Sequence, residues 1–193
     1  EQRASWLQQK LLKNPQLFKD YKVVINNLLN KSYARQIPPE RLSKSDGKVW
    51  YIPHHGVYHL HKPGKVRVVL DCSCRYKGTS LNDHLLKGSD LSNHLLGVLL
   101  RFLEERIAFM ADIECMLYQV KIPDSNADFL WFLWRTDSDL TKDPEEYQML
   151  VHLFGATSSP SCSNFALLKT AENNEGKFNS EVINIVRRHF YVD

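Results

Sequence analysis

The sequence predicts an α+β protein, and three observations predict it. The first thirty residues carry apolar positions at helical spacing, the middle holds short β-like runs separated by turn residues, and helical spacing returns before the end. Strands and helices therefore come in blocks, which argues against a doubly wound parallel sheet.

The elements follow in order. Trp6, Leu7, Leu11 and Leu12 mark one helix, and Leu17, Tyr21, Val24, Ile25, Leu28 and Leu29 a second. Asn14-Pro15 divides them, since Asn caps helix starts and Pro is tolerated at the first helical position, where its missing N–H would have no partner anyway. Ile37 to Lys48, with Pro38-Pro39 and Asp46-Gly47, reads as a connector. Trp50 to Ile52, Gly56 to Leu60 and Val66 to Leu70 are β-like, and Pro63-Gly64 fits the centre of a type II turn joining the last two as a hairpin. Leu91 to Arg106 is expected to be helical, with Leu95, Val98, Leu99 and Phe102 on one stripe and Gly97 as its weak point. Ile107 to Ile113, Phe129 to Trp134 and Gln148 to Leu153 are expected strands, with turn residues at Pro123 to Asn126 and Thr136 to Asp139. Ser158 to Ala171 and Glu181 to Arg187 are expected helices, followed by a short strand at Phe190-Tyr191-Val192.

At 193 residues and 43% hydrophobic, the chain can bury roughly two-thirds of its unfolded surface, enough for one or two lobes with real cores. A charged fraction of 24% with 11% aromatics excludes a disordered chain. No apolar run is long enough to span a bilayer, so no membrane partner is expected. Glu1 stands first and no leader pattern follows, which suggests an excerpt or processed product of an intracellular protein. Cys72, Cys74, Cys115 and Cys162 lack regular spacing and are expected to be free thiols. The net charge of +3 permits nucleic-acid binding without implying it.

Local clusters carry more information. Lys62, Lys65, Arg67, Arg75 and Lys77 crowd the hairpin and the segment after it, and strand alternation aims Arg67 away from Val66 and Val68. Such a hairpin could neutralise a triphosphate, or it could be a solvated basic loop. Asp112 follows the apolar run ending at Met110-Ala111, and Asp193 follows Phe190-Tyr191-Val192. A carboxylate at the end of a buried strand needs a partner or a metal, although a capping aspartate is the plainer alternative. Two such acids side by side could hold two magnesium ions about 4 Å apart for in-line phosphoryl transfer. Phe154-Gly155 leads through Thr157 and Ser158 to Ser159-Pro160, a loop that either starts a helix or touches a ligand.

Five segments, taken in order, are similar to a reverse transcriptase, most closely the BEL/Pao class of long-terminal-repeat retrotransposons: Lys62 to Asp71, Ser80-Leu81-Asn82-Asp83, Ala111 to Val120, His152 to Ser161, and Tyr191-Val192-Asp193. The resemblance implies right-hand polymerase fingers and palm subdomains, an antiparallel palm sheet with helices on one face, and preceding N-terminal helices. Its divisions are 1–36 for the helical segment, 37–105 for the fingers-like region and 106–193 for a palm-like region that stops within a Tyr-x-Asp-Asp turn. It implies an RNA-directed DNA polymerase that extends a primer with deoxynucleoside triphosphates on an RNA or DNA template, using two Mg2+ ions or Mn2+. Asp112 and Asp193 would be the catalytic, metal-binding acids, helped by the Ile113 carbonyl. Lys62, Lys65, Arg67, Leu117, Tyr118, Phe154 and Gly155 would face the nucleotide, and Arg75, Lys77, Ser159 and Pro160 the nucleic acid. Leu117 departs from the family, which places an aromatic there against a ribose 2′-hydroxyl. The second turn aspartate, thumb, RNase H and integrase regions would belong to the rest of a polyprotein, acting in a cytoplasmic particle, and the chain alone is expected to be inactive.

Two other readings stay open. His54, His55, His59, His61, Cys72 and Cys74 could form a structural zinc site in a nucleic-acid-binding module, though their spacing fits no common zinc signature. The chain could also be a decayed or domesticated element without polymerase activity.

Overall fold

The structure, a computed structural model, describes residues 2–42, 49–59 and 64–192. Among them are seven α-helices and two small antiparallel sheets, an α+β fold. The chain forms two compact units, the first from Glu1–His84 and Lys121–Ala156, the second from Leu85–Val120 and Thr157–Asp193.

Unit 1 opens with α1 (Gln2–Lys13) and α2 (Pro15–Asn30). The Asn14 side chain accepts from the Leu17 N–H at 3.0 Å and Pro15 takes the first helical position, so the break falls where the local chemistry puts it. The buried stripe of α2 is Leu17, Tyr21, Ile25 and Leu28. α1 forms where the apolar positions marked a helix, but only Leu11 of them is buried, while Trp6 and Leu12 are largely exposed. The reason is angular: Trp6 precedes Leu7 by about 100° around the helix and so leaves the inward face.

A left-handed residue, Ser32 (φ 56), turns the chain into β1 (Ala34–Gln36), a strand inside the segment expected to be helical. A short helix α3 (Pro39–Leu42) follows, within the expected connector. The hairpin is β2 (His54–Tyr58) and β3 (Val66–Leu70), in register from His54 opposite Leu70 to Tyr58 opposite Val66. Val66, Val68 and Leu70 point inward and Arg67 outward, as alternation requires. The Trp50 to Ile52 segment makes only a single bridge, Tyr51 to Trp131, and is not a strand. The short helix α5 (Asp124–Ala127) replaces an expected turn, and β4 (Trp131–Trp134) and β5 (Glu145–Met149) complete a second sheet in the order β1-β5-β4. β4 is the later part of the expected 129–134 run, and β5 begins three residues before the expected 148–153 run, with Glu145 opposite Trp134.

Aromatic residues fill the core of unit 1. Tyr21 stacks on Trp134 with centroids 5.3 Å apart, and Phe132 stacks on Tyr147 at 5.7 Å. Gly56 is needed here, because a Cβ would lie 3.0 Å from the Tyr21 ring and 3.3 Å from Val66. On β5, the side-chain oxygen Oε1 of the fully buried Gln148 accepts from Arg35 and Arg41, both at 3.1 Å, and Arg41 continues to Asp128 at 2.6 Å.

Unit 2 holds α4 (Leu95–Phe102), α6 (Ser159–Asn173) and α7 (Ser180–Arg188). Asn179 caps α7 by accepting from the Glu181 N–H at 3.0 Å. α4 is shorter than expected and buries none of its residues. The expected strand at 107–113 is irregular, with Phe109 and Met110 more than four-fifths exposed. Nor does 190–192 form a strand. An apolar run becomes a strand only when a neighbouring strand takes up its N–H and C=O groups, and among the described residues no strand pairs with either segment; the Phe190 carbonyl accepts from the Asn93 side chain instead.

Candidate functional site

Hairpin geometry places the cationic residues first. Gly64 holds φ +80, as the second central position of a type II turn requires, and the His59 N–H bonds the Lys65 carbonyl at 2.9 Å below it. Lys65 and Arg67 are exposed, and among the described residues no ion pair engages either. Lys62 lies outside the described residues. Arg75 is committed locally, donating to the Gly78 carbonyl at 2.6 Å and facing Asp83 at 3.5 Å, while Lys77 sits 5.5 Å over the Tyr76 ring.

The loop after β3 folds back on itself. Asp83 accepts from the Ser80 N–H at 3.0 Å, and that bond, helped by Arg75, holds its carboxyl below the usual range. Asn82 then donates from its side chain to Ser73 Oγ at 3.1 Å and to the Gly155 carbonyl at 2.9 Å. Gly155 has φ +94, a conformation that favours glycine, and the position its Cβ would occupy is 3.7 Å from the Leu70 carbonyl. So the end of β3, the 80–83 segment and the Phe154-Gly155 loop meet within unit 1, with Phe154 about half exposed. Asn82 has no role assigned by the sequence alone, because its partner Gly155 lies 73 positions away and leaves no local signature.

In unit 2, Asp112 is exposed and Ile113 half-buried on irregular backbone. This corrects the picture of an acid at the end of a buried strand. Leu117 is 9% exposed in a 3-10 turn (Met116–Gln119) that packs on α6, with Tyr118 half-buried beside it. Ser159 is fully buried and Pro160 exposed at the start of α6. Asp193 lies outside the described residues.

As for metals, no group of three or more His, Cys, Asp or Glu occurs among the described residues. The residues described around Asp112 therefore do not by themselves build a magnesium pair. Two of the six residues of the zinc alternative, His54 and Cys72, are engaged inside unit 1. His54 bonds Tyr21 through Nδ1 and the Leu133 carbonyl through Nε2 at 2.8 Å, and burial pushes its pKa down to about 4. Cys72 is buried, and burial with the neighbouring Asp71 charge pushes its thiol up to about 12. His61 lies outside the described residues. All four cysteines are free.

Fold and site together define an α+β protein whose cationic hairpin, asparagine loop and glycine turn are packed into one unit. No protein-family model matches the chain, and no curated protein matches it as a relative. No described helix is long and apolar enough to cross a membrane.

Proposed function

We propose that the chain is the fingers and palm portion of a reverse transcriptase, a nucleotidyltransferase that extends a primer on an RNA or DNA template. The observation that carries the reading is the bond from Asn82 to the Gly155 carbonyl beside the end of β3. Three segments distant in sequence, each quoted for its likeness to the family, are joined there within one unit. Lys65 and Arg67, exposed on the hairpin and in no ion pair among the described residues, suit a triphosphate, because guanidinium and ammonium groups neutralise phosphate oxygens. Asp112, the Ile113 carbonyl and Asp193 would hold magnesium, which supplies charge neutralisation for phosphoryl transfer when bound.

The test is primer extension on an RNA template by the chain joined to a second turn aspartate and a thumb. Mg2+-dependent extension is expected, abolished by Asp112→Asn with primer–template binding retained. The chain alone is expected to bind primer–template with strong salt dependence and not to extend it. Extension that survives Asp112→Asn would sink the assignment of that acid, and absence of extension from every form would favour a decayed element.

A further inference from the structure

The outer face of α1 is built unlike the rest of unit 1. Arg3, Trp6, Lys10 and Lys13 follow one another at intervals of three, four and three residues, which sets them on one side of the helix over about 15 Å. The α1 sequence contains no acidic residue. Trp6 is 62% exposed, an uncommon state for an indole, while the other face is used internally through the fully buried Leu11 and the packing of α1 on α2. Among the described residues no ion pair engages Lys10 or Lys13, and Arg3 has only a loose one, 3.8 Å from Asp71. Trp6, Gln9, Lys10, Lys13 and Asn14 line a shallow concavity of about 380 Å³.

From these we infer that the outer face of α1 is a binding site for single-stranded nucleic acid, with Trp6 stacking on a base and Lys10 and Lys13 contacting the flanking phosphates. Arg3 extends the cationic track. The charge pattern selects a polyanion, and the exposed indole selects one with unstacked aromatic faces, which a single strand offers and a duplex hides. A protein interface would want apolar neighbours around the indole, yet its neighbours on this face are cations and glutamine; the exposed Leu12 lies about 120° away around the helix. A membrane surface would want a continuous apolar face, and α1 has turned its own inward. The inference goes beyond the polymerase reading and holds whether or not the chain takes part in polymerisation.

The experiment uses the full 193-residue chain and a short fluorescein-labelled oligothymidylate, followed by anisotropy between about 50 and 200 mM salt. A blunt duplex of the same length and phosphatidylserine vesicles serve as competing ligands. Trp6→Ala is expected to weaken oligothymidylate binding about tenfold or more, with Trp6→Phe keeping most of the affinity because any aromatic ring can stack. The double variant Lys10→Ala/Lys13→Ala is expected to lower the slope of log K against log salt by about 1.4, two single-strand phosphate contacts at about 0.7 each. Melting curves check that the variants fold, as substitution of exposed residues should allow. Unchanged affinity and slope in both variants overturn the site, as does duplex or vesicle binding that matches the single strand and ignores Trp6. No detectable binding of the oligonucleotide overturns it equally, and none of these results bears on primer extension.

Discussion

His54 is half-buried among aromatic rings, and its two ring nitrogens have different duties. The Leu133 carbonyl can only accept, so Nε2 carries the proton and Nδ1 accepts from the Tyr21 hydroxyl. Protonation would put a charge into an aromatic pocket, and burial accordingly lowers the pKa to about 4, with His55 adding repulsion. The unfolded chain takes up that proton near pH 6.5 and the folded one does not, so the stability is complete above about 6.5 and lost as pH falls towards 4. The loss expected is about 3 kcal/mol, read from urea melts across that range, and a His54→Gln protein should show a flatter profile. Leu117 gives a second expectation at this scale. Its side chain is buried against α6, so Leu117→Phe should overpack and cost about 1–3 kcal/mol, visible as a lower Tm. A variant that melts unchanged but discriminates better against ribonucleotides in a restored polymerase would return Leu117 to the nucleotide pocket. Residue identity alone shows Asp112 as an acid after apolar neighbours. Whether that acid is enclosed depends on strand partners, and for Ile107 to Ile113 these are absent from the described residues.

Elements with local causes were legible. Asn14-Pro15 both separates and starts α2, and Asn14→Ala should cost about 1 kcal/mol by removing the acceptor of the Leu17 N–H. β3 matches its expected bounds because its alternation is complete within five residues. The hairpin lies against α2 where Gly56 meets the Tyr21 ring, and Tyr21 cannot retreat, being stacked on Trp134 and bonded to His54. Gly56→Ala is thus expected to destabilise the chain by about 1–3 kcal/mol, measured by chemical denaturation; a neutral result would mean that α2 and the hairpin can shift apart. β1 was not legible. Three residues after a helix carry no usable period, and what makes Ala34–Gln36 a strand is its partner β5.

For the molecule as a whole, the class was readable because it needs only the order of periodicities, whereas the division into two units depends on contacts between remote segments. The units also differ in how much they bury. Unit 1 holds a packed aromatic core, while α4 of unit 2 buries no residue. Amide hydrogen exchange should therefore be slowest in β4 and β5 and fastest across residues 103–115. Protection at 107–113 equal to that of β5 would show a sheet there in solution. The pairing of β1 with β5 bears on how the chain is made. Arg35 bonds Gln148 across 113 positions, and at roughly 5–20 residues per second of synthesis Arg35 waits about 6–23 s for its partner. Between the making of Leu70 and of Trp131, α1, α2 and the hairpin stand without β4 and its tryptophans, and a lone hairpin is marginal in water. Nascent chains stalled before β5 should be cut readily by protease and those stalled well beyond it should not. Translation speed through the middle of the message would then set how long an unpaired edge is open to other chains.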